Sequence, residues 1–179
     1  MFRLYSEERA VFTFDDYGSL MEEVGRCGAR SVLEFGPGAS TLALVEAGCE
    51  RIVTCEYQDR WLLRAVEMLK PFPQVSVHRY RNAAEVTVDG LPERQFDLAF
   101  VDSPLGIEAR MHADIGGQEG CSRLNTLLFA LGRAPIVLFH DAKREGELRS
   151  LERVIALGHT VDMIDTIKGM ARVTRGSHD

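Results

Sequence analysis

Three features of the sequence predict an α/β protein with a doubly wound, mostly parallel sheet. Short apolar runs alternate with stretches of helical periodicity along the chain, the order that builds parallel strands with helices on both faces. One such run, Ser31-Val-Leu-Glu-Phe35, passes directly into a glycine turn, Gly36-Pro-Gly38, and from there into a helix-forming stretch, the arrangement that opens a ligand crevice in such sheets. The last two apolar runs, residues 159–165 and 168–175, lie close enough to pair as a hairpin. The sheet is therefore expected to have seven strands and to close with an antiparallel hairpin strand.

With 179 residues, the chain is expected to form a single domain, residues 1–179, with a full hydrophobic core. The net charge of −6 argues against general nucleic-acid binding, which needs a basic footprint. A local basic patch near Arg79 and Arg81 stays open. Cys27, Cys49, Cys55 and Cys121 show no C-x-x-C spacing, so neither a zinc knuckle nor a redox dithiol is suggested. Reduced, structural thiols in a cytoplasmic protein are expected. No apolar run approaches the length of a membrane span, and acids follow Met1-Phe-Arg-Leu-Tyr where a signal peptide would have an apolar core.

Residues 1–13 form an arm with the apolar anchors Phe2, Leu4, Tyr5 and Phe12. A helix over 16–27 follows from Tyr17, Leu20, Met21 and Val24 at helical spacing, with Thr13, Asp15 or Asp16 as its cap and Gly28 as its stop. Strand 31–36 leads to a helix over about 40–47, closed by Gly48. The second strand is 51–56. A helix over 58–70 puts Trp61, Leu62, Ala65, Met68 and Leu69 on one face, and Pro71 and Pro73 end it. Strands 75–80 and 96–102 come next. Residues 103–121 are irregular and glycine-rich, long enough to suggest a candidate lid. A helix over 125–131, strand 136–141 and a charged amphipathic helix over 145–157 precede the closing hairpin.

In sheets of this kind ligands bind at the carboxyl ends of the strands. The chemistry-bearing residues gather there: Glu34 to Gly38, Glu56, Asn82, Asp102, His140 and Asp141. Gly36 and Gly38 allow a ligand to approach bare backbone, and Ser40 or Thr41 can cap the next helix. Glu56 ends the second strand, where a carboxylate suits ribose hydroxyls. A dinucleotide turn has a third glycine beneath its pyrophosphate, but Gly36-Pro-Gly-Ala-Ser-Thr41 has Thr41 there. Glu34, an acid in the strand itself, would also repel a pyrophosphate. A cofactor with an ammonium and a sulfonium fits better, and NAD(P)-dependent oxidoreduction becomes the weaker alternative.

On these motifs the sequence resembles the class I S-adenosylmethionine-dependent methyltransferases. Leu33-Glu-Phe-Gly-Pro-Gly-Ala-Ser-Thr41 resembles their first motif, Val53-Thr-Cys-Glu56 their acidic second motif, and Phe96-Asp-Leu-Ala-Phe-Val-Asp102 their fourth. With Ile136-Val-Leu-Phe-His-Asp141 and the hairpin, the likeness spans roughly residues 14–175 and is greatest to the small-molecule O-methyltransferase branch. The resemblance implies a Rossmann-like sheet and S-adenosyl-L-methionine as cofactor. Gly36, Pro37 and Gly38 would lie against its methionine portion. Glu34 and Asp102 would face the amino group, and Ser40 or Thr41 the carboxylate. Glu56 with Tyr57 would hold the ribose, and Asn82 and Ala83 would lie beside the adenine.

Methyl transfer to a hydroxyl requires alignment, exclusion of water and loss of a proton. Asp102, His140 and Asp141 are the candidate catalytic residues, at the tips of strands expected to be neighbours. The resemblance offers Asp102 and Asp141 as ligands of a Mg²⁺ ion that would acidify the acceptor hydroxyl. The family's third ligand, however, is replaced here by Ala142. In a metal-free alternative His140 is the general base. His112, with Arg110 and Asp114, lies in the lid, and Lys143 and Arg144 could attract an anion. The expected function is O-methylation of a small metabolite or sugar-like acceptor. A non-catalytic relative that only binds the cofactor is the other reading.

Overall fold

The computed structural model describes residues 13–81, 85–91, 95–104, 120–121 and 123–176. The expectations for most of the arm, for Asn82 and Ala83, and for most of the candidate lid lie outside the described residues. The described chain runs α1 (Phe14–Cys27), β1 (Ser31–Phe35), α2 (Ala39–Glu46), β2 (Arg51–Glu56), α3 (Asp59–Leu69), β3 (Val75–Arg81), β4 (Thr87–Val88) and β5 (Leu98–Val101). It continues through α4 (Leu124–Arg133), β6 (Ile136–His140), α5 (Glu145–Ala156), β7 (Thr160–Ile164) and β8 (Met170–Thr174).

The strands form one sheet in the order β4-β3-β2-β1-β5-β6-β8-β7. β3, β2, β1, β5 and β6 are parallel, while β8 runs antiparallel to β6 and pairs with β7 in the expected hairpin. Among the described residues the sheet has eight strands rather than seven, because Thr87 and Val88 pair antiparallel with Arg81 and Tyr80 at the edge. Two residues carry no readable alternation, so this strand left no pattern in the sequence. The chain steps outward from β1 to β2 and β3, then returns to place β5 on the other side of β1. The crevice of a doubly wound sheet opens at that reversal.

Alternation along β1 sorts its side chains between two packed layers. Leu33 and Phe35 join one layer with Val101, Leu124, Leu127 and Phe139. Val32 joins the other with Leu20, Leu44, Ile52 and Phe100. Truncating any of these fully buried leucines to alanine would cost about 2–5 kcal/mol. Glu34 lies between Leu33 and Phe35 and so projects to the opposite side, the side covered by α1 and α2. α1 begins at a reciprocal cap. The Asp16 amide donates to Thr13 Oγ1 at 3.2 Å, and the Thr13 amide donates to Asp16 Oδ2 at 3.1 Å.

Candidate functional site

The glycine turn is braced from inside. Ser40 Oγ donates to one oxygen of Glu34 and Thr41 Oγ1 to the other, both at 2.6 Å. The Thr41 hydroxyl also accepts the Gly38 amide at 3.0 Å. Residues of the first turn of α2 are thus tied to the strand that precedes it. Burial pushes the Glu34 carboxyl up to about 7, against the two hydroxyl hydrogen bonds. Here the side chains of Glu34, Ser40 and Thr41 point at one another, and Pro37 and Gly38 remain half-buried at the turn. Gly36 has φ +96°, and a Cβ on it would lie 3.1 Å from Ser103 Cβ and 3.2 Å from the Asp102 carbonyl. Only glycine takes that position without strain, so the β1 turn sits directly on the chain leaving β5.

At the tip of β2, Glu56 Oε1 accepts the amides of Tyr57 and Gln58 at 2.7 and 2.8 Å. Its other oxygen has no hydrogen-bond partner among the described residues. Burial raises its pKa, and the two amides partly oppose that rise. Tyr57 packs edge-on against Tyr80, with ring centroids 5.6 Å apart. The Tyr80 hydroxyl lies 2.6 Å from Ser103 Oγ. A line of side chains therefore connects the Glu56 end of the crevice to the Asp102 end.

The tips of β5 and β6 carry a denser set of charges. His140 places Nδ1 2.9 Å from Asp102 Oδ1 and Nε2 3.2 Å from Asp16 Oδ2. Burial alone would lower the imidazole's pKa, but the carboxylates outweigh it and push it up to about 9. Asp102 is itself buried enough to lose solvation, yet His140 and Arg123 pull it down to about 2. Asp16 is held well below the usual carboxylate range, against its burial, by its contact with His140 and its hydrogen bonds to Thr13. Asp16 was expected only as a cap; in the structure it also faces the histidine.

Arg123, just before α4, left no signal in the sequence. Its side chain is 1% exposed, and it lies at the centre of the cluster. Nη1 is 3.1 Å from Asp102 Oδ1 and donates to the His140 carbonyl at 3.1 Å. Nη2 is 3.1 Å from Asp141 Oδ2, and Nε donates to the Pro104 carbonyl at 2.7 Å. Glu147, fully buried on α5, lies 3.8 Å from Nε. Arg144 pairs with Asp141 at 2.7 Å, and Lys143 pairs with Asp165 at 2.9 Å. Both cations after β6 thus have acidic partners within the chain. A lone arginine has no periodic partner in the sequence, so only the three-dimensional structure reveals its role.

Ligand atoms of Asp102, His140 and Asp141 lie within 4.8 Å of one another. That spacing would suit a cation, but the donor set does not fit a divalent metal. A carboxylate oxygen of each acid is already held by the Arg123 guanidinium. Both imidazole nitrogens face carboxylates, and the position after Asp141 is the buried, apolar Ala142. Mg²⁺ demands near-octahedral oxygen ligation, and this arrangement offers it only one remaining oxygen each from Asp102 and Asp141, beside a guanidinium that already pairs with both acids.

No family model and no curated protein matches the sequence. Solved structures match the fold across almost the whole chain. The O-methyltransferase TomG from Streptomyces achromogenes, solved with S-adenosylmethionine, is 17% identical, with a TM-score of 0.64 over 96% of this chain and 83% of that one. The O-methyltransferase from Bacillus cereus, solved with S-adenosylhomocysteine, is 17% identical, with a TM-score of 0.65 over 96% and 84%. The methyltransferase PaMTH1 from Podospora anserina, also bound to S-adenosylhomocysteine, is 18% identical, with a TM-score of 0.61 over 90% and 78%. The chain has the doubly wound, Rossmann-like fold of these methyltransferases.

Proposed function

We propose that this protein is an S-adenosylmethionine-dependent methyltransferase that methylates a hydroxyl of a small molecule. The observation that carries the reading is the ring of acids around the glycine turn. Glu56 and Asp102 flank the crevice, each with one oxygen anchored by the protein and the other without a described partner. A pyrophosphate would meet only negative charge there, whereas an ammonium and a sulfonium would find complementary partners. That three solved methyltransferases share the fold supports the same choice. The net charge of −6 favours a small acceptor over nucleic acid.

When bound, the cofactor supplies an electrophilic methyl group. The chain's own residues hold and orient. The free oxygen of Glu56 accepts from a ribose hydroxyl, while the two backbone amides fix its partner oxygen. The ionised Asp102 attracts a cationic group beside the turn. His140 is best read as a positioning residue. With a carboxylate at each nitrogen, both nitrogens carry protons at neutral pH and neither can take another. The proton of the acceptor hydroxyl therefore leaves to a group other than His140.

Calorimetric titration with S-adenosylmethionine, S-adenosylhomocysteine and NAD(H) tests the cofactor. Saturable binding of the first two is expected. Binding of NAD(H) alone would replace this reading with an oxidoreductase.

A further inference from the structure

We propose that Arg123 is the resident cation of the strand-tip acid pair: its guanidinium fills the place between Asp102 and Asp141 that a divalent metal would take, and makes the site metal-independent. The proposal deepens the reading above and rests on it for what the site is used for. Its test reads cation binding, so either can fail without the other.

The geometry is that of a built site rather than a chance surface pair. The guanidinium is planar and offers five donors in a fixed fork. It reaches Asp102 and the His140 carbonyl through Nη1, Asp141 through Nη2, and the Pro104 carbonyl through Nε. Those partners come from the ends of β5 and β6 and from the segment after β5, so one side chain joins all three. Leaving an unpaired charge this deep would be costly, and the guanidinium lies within 3.1 Å of an oxygen of each of Asp102 and Asp141. Glu147 adds a buried acid at 3.8 Å, with an oxygen that has no hydrogen bond. The cluster therefore contains more buried carboxylate than a single acid pair needs, as expected around a strongly held cation.

A guanidinium and a metal ion differ in what they can do. The guanidinium keeps its charge at every accessible pH and cannot be removed by a chelator. It cannot take an acceptor oxygen into a coordination sphere, so it cannot acidify a hydroxyl as Mg²⁺ does. What it does instead is help hold Asp102 ionised, pair with Asp141, and fix the oxygen of Asp102 that it shares with His140. The second oxygen of Asp102, on a side chain that is 27% exposed, is left facing the crevice. Ala142 agrees with this arrangement, because no third oxygen ligand is needed beside a cation that the chain itself supplies.

Mn²⁺ titration followed by water-proton relaxation tests the proposal on the full chain. The wild type and Asp141→Asn are expected to give the same weak signal, with no saturable site that depends on Asp141. Arg123→Met is expected to bind Mn²⁺ at least about tenfold more tightly than the wild type, a difference of about 1.4 kcal/mol, and to lose that gain when Asp141→Asn is added. Saturable Mn²⁺ binding by the wild type that Asp141→Asn abolishes would overturn the proposal. So would a folded Arg123→Met that binds no more tightly than the wild type. If Arg123→Met does not fold, the comparison of wild type with Asp141→Asn decides alone. Failure of S-adenosylhomocysteine to bind would sink the methyltransferase reading and leave this result standing.

Discussion

The two halves of the crevice hold their carboxylates by opposite means. Around β1 and β2, Glu34 and Glu56 are anchored by uncharged donors: the hydroxyls of Ser40 and Thr41, and the amides of Tyr57 and Gln58. Around β5 and β6, Asp102, Asp141 and Asp16 are anchored by charged ones, Arg123, Arg144 and His140. The consequence is visible in their acidities. Burial wins at Glu34, whose carboxyl rises to about 7, and the nearby cations win at Asp102, which falls to about 2. Neutral donors permit a carboxyl to change its protonation, whereas paired charges lock it.

The contrast is broken most directly at Arg123. Replacing it with methionine removes the shared partner of two carboxylates, one of them buried, and is expected to cost about 3–5 kcal/mol, read from urea denaturation. A loss below about 1 kcal/mol, the range of an exposed ion pair, would mean that solvent already screens the cluster. Glu56 tests the other half. Glu56→Ala removes the acceptor offered to a ribose and is expected to weaken S-adenosylhomocysteine by roughly ten- to a hundredfold, from about 1.5–3 kcal/mol for a charged hydrogen bond. Calorimetry showing unchanged affinity would remove Glu56 from the cofactor site. Gly36 is where the halves touch. Gly36→Ala forces a side chain into φ +96° against the Asp102 carbonyl and is expected to cost about 1–2 kcal/mol, with weaker S-adenosylhomocysteine binding as the β5 tip shifts. A variant as stable as the wild type would show that the turn and the tip are not in tight contact.

The same division explains what could be read from the chain. Every partner of Glu34 and Glu56 is within a few residues of it along the chain. The glycine turn, its hydroxyls and the strand-end acid therefore appear together in sequence, as do the strands and helices that the apolar periodicity marks. In the other half the partners are remote, apart from Arg144, three residues from Asp141. Asp16 belongs to α1, His140 to β6, and Arg123 lies just before α4. Nothing in their spacing announces that they meet. Asp102, His140 and Asp141 were legible because each ends an apolar strand run. Arg123, which holds two of them, was not, because a buried arginine looks like a surface arginine until its neighbours are known. Without it the acid pair reads as a metal site; with it the pair already has its cation. The two-residue β4 was hidden for a simpler reason, having too little length to alternate.

Glu34→Gln sharpens the comparison with the smallest expected effect. The wild-type carboxyl has a folded-state pKa near 7 against an ordinary value of 4.5. Because the folded value is raised, the unfolded chain ionises first as pH rises. The stabilising contribution of protonated Glu34 is therefore complete below about 4.5 and is lost as pH climbs through about 7. The amide resembles the protonated acid in shape but cannot ionise. At about pH 4 the variant is expected to lie within about 1 kcal/mol of the wild type, the scale of one rearranged hydroxyl hydrogen bond. Between there and pH 8 it is expected to gain on the wild type steadily, measured as the difference between two urea midpoints at each pH. Parallel profiles would mean that the Ser40 and Thr41 hydroxyls hold Glu34 ionised as firmly as Arg123 holds Asp102. Neutral and charged anchoring would then be equivalent in this crevice, and the distinction between its two halves would fail at the residue where it is easiest to measure.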